Sequence, residues 1–309
     1  MSLTWRPYGL PDVEAVTALA NAARAADGTG RPLAEHHVAE QLEGPRFDPT
    51  TDTVSAWEGD TLVAAGSVWG PAEPVDGAAL GVFDGDVHPD HRGRGIGTEL
   101  LRRLQERAAA LAAQRHPGLP VRLRTPGGTP GSATARLLEQ AGFSAAAWFV
   151  WMEVDTAAWT DPGTPSAAVP LDGETLRLAR DAHNDAFRDH RSSSPVPEDV
   201  WQHWTSGATA RHDLGRVVVE DGEVLAYALV SCYQPDVAHV DLVGTRRRAR
   251  GRGLARAVLL GTLRAARDAG IDVVELEVDS TSPTGADRLY ASLGFRPVRT
   301  ISRHQRDVA

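Results

Sequence analysis

Two short runs of glycine and arginine carry the clearest chemical signal in the chain. Arg92-Gly93-Arg94-Gly95-Ile96-Gly97 recurs almost unchanged as Arg250-Gly251-Arg252-Gly253-Leu254-Ala255. Each stands between an apolar, strand-like run and a segment with apolar residues at helical spacing: Gly81–Val87 and Thr98–Leu104 flank the first, His239–Thr245 and Ala257–Leu263 the second. Glycines at a strand-to-helix turn let successive backbone N–H groups converge on one point, and the helix N-terminus adds partial positive charge. Such a turn cradles a pyrophosphate, and the loop arginines add charge. Neither run has the Gly-Lys-Ser/Thr of a P-loop, and neither is followed about twenty residues on by the acidic strand end of a dinucleotide site.

The pattern Arg/Gln-x-x-Gly-x-Gly/Ala in this setting resembles the GNAT superfamily of acyl-CoA-dependent N-acyltransferases. The resemblance covers nearly the whole chain. A hairpin-like segment precedes each cradle, Thr53–Ala64 and Arg216–Ala226, and a Gly-Phe pair follows each, Gly142-Phe143 and Gly294-Phe295. Ala64 and Ala226 lie 162 residues apart, Gly95 and Gly253 158, Phe143 and Phe295 152, as in one duplicated domain with modest insertions. The expected fold is α/β, of the α+β type with a mixed sheet, in two consecutive GNAT-like domains at 1–155 and 174–309. Residues 156–173, rich in Pro, Gly, Thr and Ala, form the expected linker. The resemblance implies acetyl-CoA as acyl donor, held by Val87, Arg92, Gly93, Arg94, Gly95, Ile96 and Gly97 in the first half. In the second half the implied set is Val243, Gly244, Thr245, Arg250, Gly251, Arg252, Gly253, Leu254 and Ala255.

Acetyl transfer to an amine needs a neutral nucleophile, a held thioester and a proton for the departing thiolate. An alkyl amine with a pKa of about 10 is only about 0.1% neutral at pH 7, so a base is useful. The family's usual acid is a tyrosine four residues before the Gly-Phe pair. That position is Tyr290 in the second half and Leu138 in the first, which makes the C-terminal half the expected catalytic one. The N-terminal half is then expected to bind CoA without turnover, or to be structural. On the strand entering the second cradle, a two-residue period puts His239, Asp241, Val243 and Thr245 on one face. The family commonly draws its base or water-holding residue from this strand, at the positions of His239 and Asp241, with Glu275 and Glu277 on the next strand as second choices. The family's asparagine contact to the pantetheine arm is missing, and Ser282 stands in its place. The second entry strand also ends in Gly244-Thr245-Arg246, where the first reads Val87-His88-Pro89.

Flanking these residues, the first half reads as strand, two helices, three strands, the cradle with a long helix to about Gln114, a strand at Val121–Arg124, a helix at Ser132–Ala141 and a strand at Trp148–Val154. The second half repeats the plan, with helices near Glu174–His190 and Pro197–Thr205 and a last strand near Val298–Arg303. His183, Asp185 and Asp189 on the opening helix, and Trp201, His203 and Trp204 on the next, are weaker candidates for an acceptor pocket, with packed aromatics the blander reading of the tryptophans.

At 309 residues, 42% hydrophobic and 24% charged, the chain has the composition of two ordinary globular domains. No apolar run approaches a membrane span and the start lacks the order of a signal peptide, so the expected setting is cytoplasmic with no membrane partner. Cys232 is the single cysteine and His36-His37 lacks a third ligand, so no metal is expected. Every basic residue is arginine, the mark of high-GC coding of the actinobacterial kind. A net charge of −9 argues against nucleic acid and favours a cationic small-molecule amine as acceptor. The oligomeric state is left open. The competing functions are a non-catalytic acyl-CoA sensor and a protein N-acetyltransferase.

Overall fold

The computed structural model describes residues 3–188, 193–280 and 285–308. Ser282 and Asp189 lie outside them. The chain forms two compact units, residues 1–148 with 300–309, and residues 149–299.

In the first unit, antiparallel strands Thr4–Arg6, Thr53–Glu58, Thr61–Trp69 and Ala79–Val87 lead into the cradle. The 20-residue cradle helix Ile96–Arg115 turns its apolar stripe, Leu100, Leu101, Leu104 and Leu111, into a core with Val63, Val68, Phe83 and Leu123. Opposite, helices Val13–Asp27 and Glu35–Leu42 bury Val16, Leu19, Val38 and Leu42 over Leu62 and Ala65. The sheet is thus covered on both faces.

The second unit repeats this. Strands Arg216–Glu220, Glu223–Gln234 and Val237–Thr245 are antiparallel, and Val273–Asp279 runs parallel to the last of them. The cradle helix Leu254–Asp268 buries Val258, Leu259, Leu260 and Leu263 against one face. Helices Gly173–Ala186 and Glu198–Ser206 cover the other with Ala179, Ala182 and Trp201, and Asp172 caps the first by accepting from the Thr175 amide.

The division between units differs from a cut at the linker. Residues Ser302–Val308 pair with Gly128–Val121 and complete the first unit, while Phe149–Asp155 pair with Asp279–Val273 and complete the second. The last strand of each half therefore serves the other half's sheet. The outer edge of each parallel strand presents unpaired N–H and C=O groups that a strand of matching pattern can cover, and Ser144–Asp155 and Arg296–Val308 carry similar alternating patterns. The linker is not a loose tether. Asp161 pairs with Arg264 at 2.7 Å, Ser166 donates to Ala257 O, and Val169–Pro170 adds an edge strand against Arg216–Val217.

A close approach fixes one glycine. A Cβ on Gly244 would collide with the ring of fully buried Tyr227, whose hydroxyl is 2.6 Å from His183 Nδ1. The ring cannot swing away, so Gly244→Ala is expected to cost about 1–3 kcal/mol, read as a lower urea midpoint with an unchanged m value.

Candidate active site

The two cradles are built alike. Gly251 and Gly253 have φ of 77° and 76°, Gly93 and Gly95 of 73° and 79°, in the left-handed region where glycine carries no Cβ penalty. A Cβ on any of the four would meet nothing within 4 Å, so the space over each loop is open. The Ala257 amide bonds Gly253 O, and the amides before it, from Gly253 to Arg256, have no acceptor within the helix. These groups and the helix dipole suit an anion.

The loop arginines are engaged with partners inside the protein. Arg92 forms a bidentate pair with Asp27 at 2.7 and 2.9 Å, and Arg94 pairs with Glu58. In the second loop Arg252 pairs with Glu220, Arg248 with Glu223, and Arg250 donates to Ala186 O at 2.7 Å. Glu58 and Glu220 occupy matching ends of matching strands. The guanidinium groups brace each loop against its hairpin and opening helix.

Beside each cradle the parallel strands part. Val237–Thr245 pairs with Val273–Asp279 only through Val237–His239 and Val273–Glu275. In the first unit Ala79–Val87 and Val121–Gly128 pair only through Ala79–Val82 and Val121–Arg124. The unpaired ends form a wedge running toward the cradle.

At the point of parting in the second unit stands a polar cluster. His239 is 9% exposed and its Nδ1 lies 3.2 Å from Oε1 of Glu275, itself 4% exposed. The Trp151 ring lies 5.0 Å away, with the Arg299 guanidinium over it at 4.1 Å. Asp241 accepts from Ser231 Oγ at 2.7 Å and Tyr233 OH at 3.0 Å. Burial disfavours the His239 imidazolium, but the bond to Glu275 and the charges of Asp241, Glu275 and Glu277 outweigh it, so its pKa is raised. Burial raises the Asp241 pKa, against His239 and the two hydroxyls. The partner of His239 is thus Glu275, and Asp241 is held by hydroxyls instead.

The expected single face breaks at Asp241. Val240 and Leu242 pair with the consecutive residues Val230 and Leu229, so Asp241 is the extra residue of a β-bulge. Beyond it Val243 packs on the cradle-helix core, and Leu242 packs on the core of the opening helices. His239 and Asp241 therefore share their face with Leu242 and not with Val243. The unbulged first unit places Asp84 and Asp86 in the matching stretch, with Ser67 donating to Asp84 at 2.9 Å. Burial and the neighbouring Asp84 push the Asp86 pKa up to about 7. Alternating polar residues on an apolar strand mark this pair in the sequence as they mark His239 and Asp241. Trp151, Ser231 and Tyr233 carry no such local signal, because strand pairing alone brings them to the cluster.

Tyr290 sits on the short helix Ala286–Ser292, 9% exposed within the cradle-helix core and edge-on to Phe295 at 6.0 Å. Burial pushes its pKa up to about 12, so it is protonated at neutral pH. Leu138 fills the matching place in the first unit, 3% exposed. The acceptor candidates on the opening helices fare less well. His183 is buried among Phe187, Trp201 and Tyr227, and burial lowers its pKa to about 4. Asp185 accepts from the Arg247 amide at the cradle entrance, and Trp201 is core. Trp204 stays 51% exposed. His36 and His37 stack on each other, and no group of metal-ligating side chains occurs among the described residues. No helix there is long and apolar enough to cross a membrane.

Known proteins bear on this arrangement. The family model for the acetyltransferase (GNAT) family matches residues 17–121 and 176–295. Mycothiol acetyltransferase of Thermobispora bispora is 33% identical, over 92% of both chains. That of Frankia casuarinae is 30% identical over 98% of this chain and 97% of its own. Among solved structures, a GCN5-related N-acetyltransferase from Sphaerobacter thermophilus aligns with a TM-score of 0.78 at 25% identity, covering 99% of this chain and 95% of that one. A tandem GNAT protein from the clavulanic acid biosynthesis pathway shares the fold, with a TM-score of 0.67 at 19% identity and coverage of 99% and 98%. Two GNAT domains in one polypeptide, each with its cradle and its wedge, make this chain a member of the GNAT acetyltransferase family and an N-acetyltransferase.

Proposed function

We propose that the C-terminal unit transfers an acetyl group from acetyl-CoA to the primary amine of a small molecule, and that the first cradle holds CoA without turnover. The observation that carries the reading is the pair of unlike groups on opposite faces of the sheet that holds the wedge. His239, bonded to Glu275, lies on the face of the opening helices, and Tyr290 lies on the face of the cradle helix.

Acetyl-CoA supplies an electrophilic thioester carbonyl and a thiolate leaving group. The amides of Gly253 to Arg256 hold its pyrophosphate. Glu275 accepts the Nδ1 proton of His239, which leaves Nε2 as the basic nitrogen. His239 takes a proton from the acceptor ammonium, freeing the amine to attack, and the new C–N bond replaces the C–S bond. Tyr290 gives its proton to sulfur and regains one from the proton that the attacking nitrogen sheds as the amide forms, while the proton gathered by His239 leaves through water, so one proton per turnover passes to solvent. Asp241, Glu275 and Glu277 make the surroundings of His239 anionic, which favours an ammonium-bearing acceptor over a neutral one. The name of the mycothiol acetyltransferase relatives supports a small-molecule acceptor over a protein.

The reading is tested by mass-spectrometric product formation from acetyl-CoA with amino sugars, aminoglycosides, polyamines, amino acids and a peptide amine. An N-acetylated small molecule is expected; preference for the peptide would overturn the acceptor class. The cradle has its own test. Ala255→Asp sets a carboxylate at the start of the cradle helix, where it stabilises the helix but repels pyrophosphate. Acetyl-CoA KM is expected to rise by at least about 10-fold with the melting temperature of the ligand-free protein no lower than that of wild type.

A further inference from the structure

The last strand brings into the first unit a histidine that the reaction does not use. His304 is 1% exposed, and both its ring nitrogens are buried without a hydrogen-bond partner among the described residues. A neutral imidazole has one N–H donor and one bare acceptor nitrogen. Buried polar groups are satisfied in the great majority of cases, by protein, water or ligand, so a side chain this deep with both atoms unused asks for a partner. Burial lowers its pKa against the pull of Glu139, which keeps the ring neutral near pH 7.

Its location suggests which partner. His304 pairs with Thr125, the first residue after Arg124, where the two parallel strands of the first unit part. The ring leans across the neighbouring strand onto Gly127, where any Cβ would collide with it. The imidazole thus occupies the space that a side chain at Gly127, two residues past the point of parting, would fill. The next residue, Gly128, lies against Ser132, the N-cap of helix Ala133–Gln140. Leu137 of that helix comes within 3.4 Å of the Cβ position of Gly97 in the first cradle. Wedge, helix and cradle are contiguous, and this helix carries Leu138 where its counterpart carries Tyr290.

We infer that His304 is the polar anchor of an acyl-CoA site in the first unit, bonding the amide-bearing pantetheine arm of a CoA whose pyrophosphate rests on the first cradle. The inference rests on the reading of that cradle as a CoA site. A pantetheine amide offers one N–H and one carbonyl oxygen, the complement of a neutral imidazole. The role is binding, in place of the proton transfer assigned to Tyr290.

The test is calorimetric titration of the full chain with CoA, beside melting temperatures. Wild type is expected to bind two equivalents, and Gly97→Asp to lose one. His304→Leu removes both unmet polar atoms, so the ligand-free protein should melt no lower than wild type while one equivalent weakens by about 10- to 100-fold. His304→Gln, which keeps a donor and an acceptor, should recover most of that loss. Two unweakened equivalents in His304→Leu, with Gly97→Asp still losing one, would overturn the role of His304 and leave the cradle reading intact. Gly97→Asp with both equivalents retained, or a single wild-type equivalent abolished by Ala255→Asp, would overturn both. Should the leucine variant fold poorly, NMR of wild type decides: the imidazole nitrogens of His304 are expected to shift on saturation with CoA, and unmoved signals refute the anchor.

Discussion

Tyr290→Phe is expected to lower kcat by about 10²–10³-fold while acetyl-CoA binding changes less than about threefold. Phenylalanine keeps the ring in the core and its edge contact with Phe295. Only the hydroxyl goes, and with it the proton for the leaving sulfur. Because burial puts the Tyr290 pKa at about 12, the wild-type acid stays protonated over the whole practical range and should impose no alkaline fall in rate below about pH 11. Steady-state kinetics with direct detection of CoA release measures both effects. A variant within threefold of wild type would remove Tyr290 from the mechanism.

The second large effect concerns His239. His239→Ala is expected to lower kcat/KM by about 10²–10⁴-fold near neutral pH. Glu275→Gln gives the more specific signature. A base must be neutral to act, so wild-type kcat/KM rises with pH through a His239 pKa that lies above the ordinary imidazole value. Glutamine removes the charge and weakens the bond that raise that pKa, while burial continues to depress it. The acid limb of the profile should therefore move to lower pH as the maximal rate falls. Stability follows the same linkage. A group whose folded pKa is raised contributes stability that is fully present below its unfolded pKa and is lost as pH rises through the folded one. The deficit of Glu275→Gln in urea denaturation should thus be larger at about pH 5.5 than at about pH 8.5. An unmoved acid limb sinks the assignment of His239 as base.

Much of the scaffold was legible because it is local. Strands Thr61–Trp69 and Ala79–Val87, and the glycine turns with their helices, are set by residues adjacent in sequence. The cradle duplication was legible for the same reason, since each loop carries its own conformational requirement. What the sequence hides is non-local. Val237–Thr245 has apolar residues on both faces, so nothing in it marks Asp241 as the residue that slips a register, and Val243 consequently turns to the face opposite His239. The meeting of His239 with Glu275 depends on register between strands, and its contact with Trp151 on a strand from the other half of the chain. The ion pairs of the loop arginines were not legible because their partners, Asp27, Glu58 and Glu220, lie 32 to 65 residues away.

The exchanged strands also set a timetable for synthesis. The edge strand Val121–Gly128 receives its partner only when Ser302–Val308 has been made, about 170 residues later. At ordinary elongation rates of about 5–20 residues per second, the N-terminal unit waits on the order of 10–35 s with an unpaired edge. An N-terminal fragment ending at the linker would lack the strand that the first unit takes from Ser302–Val308. Separate expression of the two halves is for that reason a poor route to separate domains, and deleting Ser302–Val308 would strip the unit made first of its edge partner.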